Sequence, residues 1–287
     1  RKKIIFMDSA KEPIQFENFL KVYNLLSNIK ISIPKIYWIN NTNKHVFLED
    51  FGNLRFDKIL YKENLKKLLL IAIESLVVIK NEINLNHNYG LPIYNYKIFK
   101  SEIAEFVDYF YPFYRKKNMS EDLKEEFYTI WKTEYNLLDY SFTSFVHKDY
   151  NLNNLIYLPN RKNHYQCGIL DFQDSFWGED CWDIFSLLED SRMLFNDKYN
   201  DFFINYYHSK TNKKNSIMEF YKKYHFFNSS RQTRLLGRWV KLSQRFNHNG
   251  YLDFINITNK RLYKSLQKPY MKKLKSFYHK IFPDLYV

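Results

Sequence analysis

Asp149, Asn154 and Asp171 are three oxygen-bearing side chains in two neighbouring stretches, VHKDYNLNNLIYL at 146–158 and QCGILDFQDSFWGEDCWDIFSLLEDS at 166–191. Each polar cluster lies against a short apolar run. Leu155–Leu158 and Cys167–Phe172 are rich in Ile, Leu and Phe beside turn residues, the pattern of buried strands. Between them Pro159 and the polar run Asn160–His164 predict a turn, so the two runs read as a hairpin. Antiparallel pairing sets Asp149–Asn154, at the start of one strand, beside Asp171 at the end of the other. Carboxylates and an amide gathered at one point suit a hard cation such as magnesium, which takes oxygen ligands and keeps several waters. A carboxylate left off the metal can accept a proton from a hydroxyl. Phosphoryl transfer needs that division of labour: a positioned nucleophile and neutralised phosphate charge. Taken alone, 146–158 reads equally well as a polar surface turn.

The elements around this hairpin follow from apolar spacing. Residues 3–8, KIIFMD, predict a strand, and Pro13 suits the first position of a helix carrying Phe16, Phe19, Leu20, Tyr23 and Leu26 at helical intervals. KIYWIN after Pro34 and HVFLE at 45–49 predict a second hairpin, completing a small mixed lobe at 1–52. From about residue 56 the pattern turns helical: 56–83, 100–116, 120–138, the catalytic hairpin, then 181–195, 198–209, 214–226, 229–248 and a last helix from about 267. Residues 53–287 read as one helical lobe, without an internal repeat, low-complexity linker or further compact domain.

Composition narrows the class. The chain of 287 residues is 45% hydrophobic and 20% aromatic, enough for a substantial core. Its two cysteines, Cys167 and Cys181, make no disulfide framework, and a reducing cytoplasm is the expected setting. The longest apolar run, LLLIAIESLVVI at 68–79, is interrupted by Glu74 and is short for a membrane span. No signal peptide is read, and without an initial Met the chain reads as trimmed at its start. A net charge of +13 invites a nucleic-acid partner. The lysines are spread along the chain, however, and RKK at 1–3 and NKKN at 212–215 are short. The expectation is a positive field that helps recruit an anionic small molecule, with no specific nucleic acid and no membrane.

His147-Lys148-Asp149 followed by Asn154 resembles the His-x-Asp-x-x-x-x-Asn loop of protein kinases and of the aminoglycoside phosphotransferase family. ILDFQD is similar to that family's metal-binding strand end. With GEDCWDIFSLLEDSR, FLEDFG at 47–52 and RLLGRWVKL at 234–242, the chain looks like a branch of bacterial kinases acting on the anomeric hydroxyl of N-acetylmuramate and N-acetylglucosamine. The resemblance implies an α+β, protein-kinase-like two-lobed fold, with a small N-terminal sheet lobe and a large helical C-terminal lobe. It implies ATP and magnesium as cofactors and a small molecule, an amino sugar or other alcohol, as partner. Asp149 would position or deprotonate the hydroxyl, and Asn154 and Asp171 would hold magnesium. His147 would support the loop from beneath. Asp183 would brace it, where an isolated reading makes Asp183 a helix cap. Glu49 and Asp50, after a strand and before a long helix, fit the hinge whose backbone meets adenine; a solvated turn is the plainer alternative. Asp50-Phe51-Gly52 spells the kinase metal-binding triplet, but it precedes the catalytic loop and is set aside on that ground. Asp174, Asp190 and Arg192 are candidates for substrate contact, against ordinary turn and surface roles.

The small lobe departs from the family pattern. If KIIFMD is the third strand, the first two are missing, and no Gly precedes Gly52 to make a phosphate-covering loop. Met7 or Asp8 takes the place of the strand lysine; Lys2, Lys3 and Lys11 read as surface charge, and Glu12 and Glu17 as exposed helix acids. Three functions are therefore weighed: an amino-sugar kinase, an aminoglycoside, choline or homoserine kinase of the same fold, and a kinase-like binding protein without catalysis.

Overall fold

The computed structural model describes residues 3–60, 65–83, 89–192, 199–211 and 216–283. Lys2 and the 212–215 lysine stretch lie outside them. In chain order the elements are β1 (Ile4–Asp8), α1 (Pro13–Leu26), β2 (Ile36–Asn40), β3 (His45–Glu49), α2 (Phe56–Ile59), α3 (Leu65–Glu82), α4 (Tyr96–Glu105), α5 (Tyr111–Arg115) and α6 (Glu121–Asn136). They continue with β4 (Ser144–Val146), β5 (Leu155–Tyr157), β6 (Cys167–Ile169), β7 (Phe176–Gly178), α7 (Trp182–Leu188), α8 (Asn200–Lys210), α9 (Ile217–Phe246), α10 (Phe254–Leu266) and α11 (Lys272–Ile281). The chain divides into two compact units, 1–93 with 142–190 and 197–214, and 94–141 with 191–196 and 215–287.

In the first unit β1, β3 and β2 form an antiparallel sheet in the order β1-β3-β2. Period-two alternation turns Val46 and Leu48 of β3 inward, where they meet Phe16 of α1, with Met7, Phe19, Leu20 and Ile36 around them. Pro13 sits in the first turn of α1, where its missing N–H costs no bond. The apolar run at 68–79 lies in α3, whose buried residues include Leu68, Leu69, Ile73, Leu76, Ile79 and Lys80. No helix among the described residues is long and apolar enough to cross a membrane.

The second unit is helical. Two helices expected at 214–226 and 229–248 are one helix of 30 residues, α9. The polar run Asn228-Ser229-Ser230 lies where the two were expected to meet, and each side chain finds a partner. Ser229 Oγ donates to the His225 carbonyl, Ser230 Oγ to the Phe227 carbonyl and Asn228 Nδ2 to Ser265 Oγ of α10. Buried polar groups so satisfied do not interrupt a helix. α10 was not expected at all, and the helix expected at 100–116 starts earlier and changes to a π turn at Phe106–Phe110. Its start is capped by Asn95, whose side chain accepts from the Ile98 N–H at 3.1 Å.

α9 crosses this stretch at Gly237, where a Cβ would fall inside the backbone carbonyl of Glu105. Gly237→Ala tests the contact with an unambiguous sign. Helix propensity alone favours Ala by about 0.8–1 kcal/mol. Overpacking typically costs about 1–3 kcal/mol, and backbone cannot swing aside as a flexible side chain can. Urea unfolding is expected to show net destabilisation; a stabilised variant would mean the two helices separate freely there.

Candidate active site

The loop at 147–154 is built from local bonds. The Asn151 side chain accepts from the Asn153 N–H and donates to the Asp149 carbonyl, both at 3.1 Å, which turns the chain into a short 3-10 segment at Leu152–Asn154. β5 then pairs with β6 in antiparallel register, Leu155 opposite Ile169 and Tyr157 opposite Cys167. Leu170 N–H donates to the Asn154 carbonyl at 3.0 Å, which ties the strand end to the loop. Asn154 Nδ2 lies 3.0 Å from the backbone carbonyl of Asp149 and 3.2 Å from Asp171 Oδ2. One amide thus joins the loop that carries Asp149 to the strand end that carries Asp171. Asp171 is exposed, has φ +62° and accepts from Gln173 Nε2 at 2.7 Å.

Beneath the loop the environment changes from wet to dry. His147 is fully buried, and its Nε2 meets the Leu170 carbonyl at 3.0 Å. A carbonyl only accepts, so Nε2 carries the proton, and burial lowers the imidazole pKa toward the neutral form. Tyr150 is also buried, donating to the Ala72 carbonyl at 2.8 Å. The buried Cys167 thiol is pushed up to about 12 by desolvation, which excludes it as a nucleophile at neutral pH.

Asp183 lies in the first turn of α7 and makes no capping bond; the cap position is Cys181. Its carboxylate reaches the 147–154 loop instead. Oδ2 accepts from the His147 N–H at 3.0 Å and Oδ1 from the Lys148 N–H at 3.1 Å. Lys80 Nζ on α3 completes the shell 2.8 Å from Oδ2, and it also donates to the Phe145 carbonyl. Both side chains of this ion pair are 0% exposed. Lys80 is the residue that reading the sequence missed. The available signal was a lysine ending the apolar run VVIK, on the stripe that α3 buries.

Of the other candidates, Asp174 lines a cavity of about 530 Å³ together with Met7, Asp8, Glu12, Leu48 and Asp171. Glu49 and Asp50 are not in that lining. Glu49 pairs with Arg161 at 2.8 Å, and Asp50 Oδ1 accepts from the Gly52 N–H at 2.7 Å in a turn that needs Gly52 at φ +77°. Glu17 pairs with Lys44 at 2.6 Å. α7 stops at Leu188, short of the expected 195, so Asp190 and Arg192 follow the helix rather than end it. Asp190 is buried and Arg192 belongs to the second unit; each has contacts of its own and neither lines the cavity.

Among the described residues no group of three or more His, Cys, Asp or Glu is placed to hold a metal ion. A divalent cation at this site would have the Asp171 carboxylate and the Asn154 amide oxygen, with water and phosphate oxygens for the rest. That all-oxygen, sparsely liganded set fits magnesium and does not fit zinc.

Residues 109–220 match the model of the phosphotransferase enzyme family. The chain is 26% identical over 195 residues to the N-acetylmuramate/N-acetylglucosamine kinase of Pseudomonas aeruginosa, covering 66% of this chain and 54% of that protein. It is 24% identical over 261 residues to the protein of the same name from Neisseria meningitidis, covering 86% and 74%. The match thus spans about half the length of the first relative. A solved GDP complex of an aminoglycoside 2'-phosphotransferase superposes with a TM-score of 0.58 at 16% identity, over 95% of this chain and 87% of that one. The fold is α+β and protein-kinase-like, with a small sheet-bearing part and a large helical part.

Proposed function

We propose that this chain is a member of the aminoglycoside phosphotransferase family, as the match at 109–220 and the fold support, and a magnesium-dependent kinase using ATP to phosphorylate a sugar hydroxyl. The acceptor proposed is the anomeric hydroxyl of N-acetylmuramate or N-acetylglucosamine, with a cytoplasmic setting and the lobe division at residue 52 as part of the same reading. The observation that carries it is the Asn154 amide, in contact with both the Asp149 carbonyl and the Asp171 carboxylate. It supports one centre in which Asp149 receives the hydroxyl proton while Asp171 and Asn154 hold magnesium. The sugar oxygen bonds to the γ-phosphorus, the bond from that phosphorus to the bridging oxygen breaks with its electrons leaving on ADP, and the proton passes to Asp149. Magnesium, when bound, neutralises phosphate charge. Glu49 and Asp50 serve as hinge in this reading through their backbone, and Asp174, Asp190 and Arg192 remain the candidates for acceptor contact.

The relatives' names support the amino sugar. One observation favours an aminoglycoside or choline-type acceptor: the cavity is lined by Asp8, Glu12, Asp171 and Asp174, which suit a cationic alcohol. Release of nucleoside diphosphate is the test, with ATP and GTP as donors and both amino sugars, the methyl glycoside of N-acetylglucosamine, kanamycin and choline as acceptors. Turnover is expected on the free amino sugars and not on the methyl glycoside, which lacks the anomeric hydroxyl. A methyl glycoside that reacts equally well moves the reaction to another hydroxyl. Kanamycin or choline turning over alone gives the case to the second acceptor class.

A further inference from the structure

Lys148 is held in an uncommon way. Its φ is +78°, a region that disfavours any residue with a Cβ. Both backbone ends are fixed to α7: the N–H donates to Asp183 Oδ1 at 3.1 Å, and the carbonyl accepts from Ser186 Oγ at 3.2 Å. Glycine would relieve the strain without disturbing either bond, yet the position carries an ammonium. Lys148 is not itself in the cavity lining, but its ammonium reaches a residue that is. Lys148 Nζ lies 4.0 Å from Asp174 Oδ2, and Asp174 is in the cavity lining. The same lining holds Asp8, Glu12 and Asp171 and, among the described residues, no Lys, Arg or His. A phosphoryl group held at Asp171 meets the Asp149 and Asp174 carboxylates nearby, and one divalent cation at Asp171 and Asn154 offsets only part of that repulsion.

We infer that the Lys148 ammonium contacts the oxygens of the transferring phosphoryl group, exchanging its long contact with Asp174 for that of the more highly charged phosphate. The inference rests on the proposed function, which sets the transferring phosphoryl group at Asp149, Asn154 and Asp171. Lys148 neighbours Asp149 in the chain, so the proton acceptor and the phosphoryl-binding cation are set on one pinned backbone. Asp174 is then the residue that parks the ammonium when the site holds no phosphate. The side chain is 30% exposed, so removing it opens no core cavity.

The test uses the full chain in three variants, Lys148→Met, Lys148→Gly and Lys148→Arg. Calorimetric affinities for magnesium–ATP and magnesium–ADP, which need no acceptor, separate the γ-phosphate from the rest of the nucleotide. Lys148→Met is expected to weaken ATP binding roughly tenfold, to leave ADP binding unchanged, and to lower kcat roughly 100-fold with the acceptor KM unchanged. Lys148→Gly is expected to lose the same activity while melting at an equal or higher temperature, and Lys148→Arg to recover part of kcat. Equal losses for ATP and ADP, or a kcat near the wild type in Lys148→Met, overturn the inference. A wild type that binds ATP but phosphorylates none of the acceptors counts against the proposed acceptor alone, since the ATP-against-ADP comparison still decides Lys148. A wild type that binds neither nucleotide overturns both.

Discussion

Lys80→Met is expected to cost about 3–5 kcal/mol of stability, the range for removing one partner of a buried ion pair. The physical reason is the state in which it leaves Asp183. That carboxylate is fully enclosed and accepts from the His147 and Lys148 N–H groups, which solvate it only in part. Lys80 supplies the compensating charge, and its removal strands an anion in a low-dielectric interior. Replacing both partners, as Lys80→Met with Asp183→Asn, removes the stranded charge while an amide oxygen still accepts one N–H. The double variant is therefore expected to be more stable than Lys80→Met alone. Urea unfolding measures both. If Lys80→Met falls within the range of an ordinary surface substitution, about ±0.5 kcal/mol, Lys80 is not the counter-ion that the geometry makes it.

Asp149→Asn is expected to lower turnover roughly 10²–10⁴-fold, the usual contribution of a positioned proton acceptor. The loop itself should survive. Asn151 and Asn154 bond to the backbone carbonyl of residue 149, not to its side chain, so the substitution removes a carboxylate and leaves those bonds in place. Nucleotide binding should then stay nearly intact. Asp171→Asn is expected to do the opposite, weakening magnesium–nucleotide binding, because it removes the negative charge proposed to face the metal. Calorimetric affinities beside steady-state rates distinguish the two. Equal losses of affinity and equal residual rates in both variants would show that the roles are not divided as proposed.

Much of the site was legible because its residues are close in sequence. The His147–Asn154 spacing, the apolar runs at 155–158 and 167–172 and the turn between them are local signals. They bring Asn154 and Asp171 into contact across one hairpin. β3 has the expected bounds, 45–49, because its inward Val46 and Leu48 alternate with outward Phe47. What the sequence hid are interactions between distant segments. β4 pairs with β7, Ser144 opposite Gly178, and neither three-residue strand has a period of its own to read. Lys80 looked like the polar end of an apolar helix until Asp183 was placed beside it. The unbroken α9 depends on Ser265 of a helix that was not foreseen. Hydrophobic spacing and motif chemistry are properties of a short stretch of chain, so the sequence by itself determined the loop and its hairpin. Whether a buried charge or amide is satisfied depends on which distant group arrives next to it, and only the tertiary structure decided that.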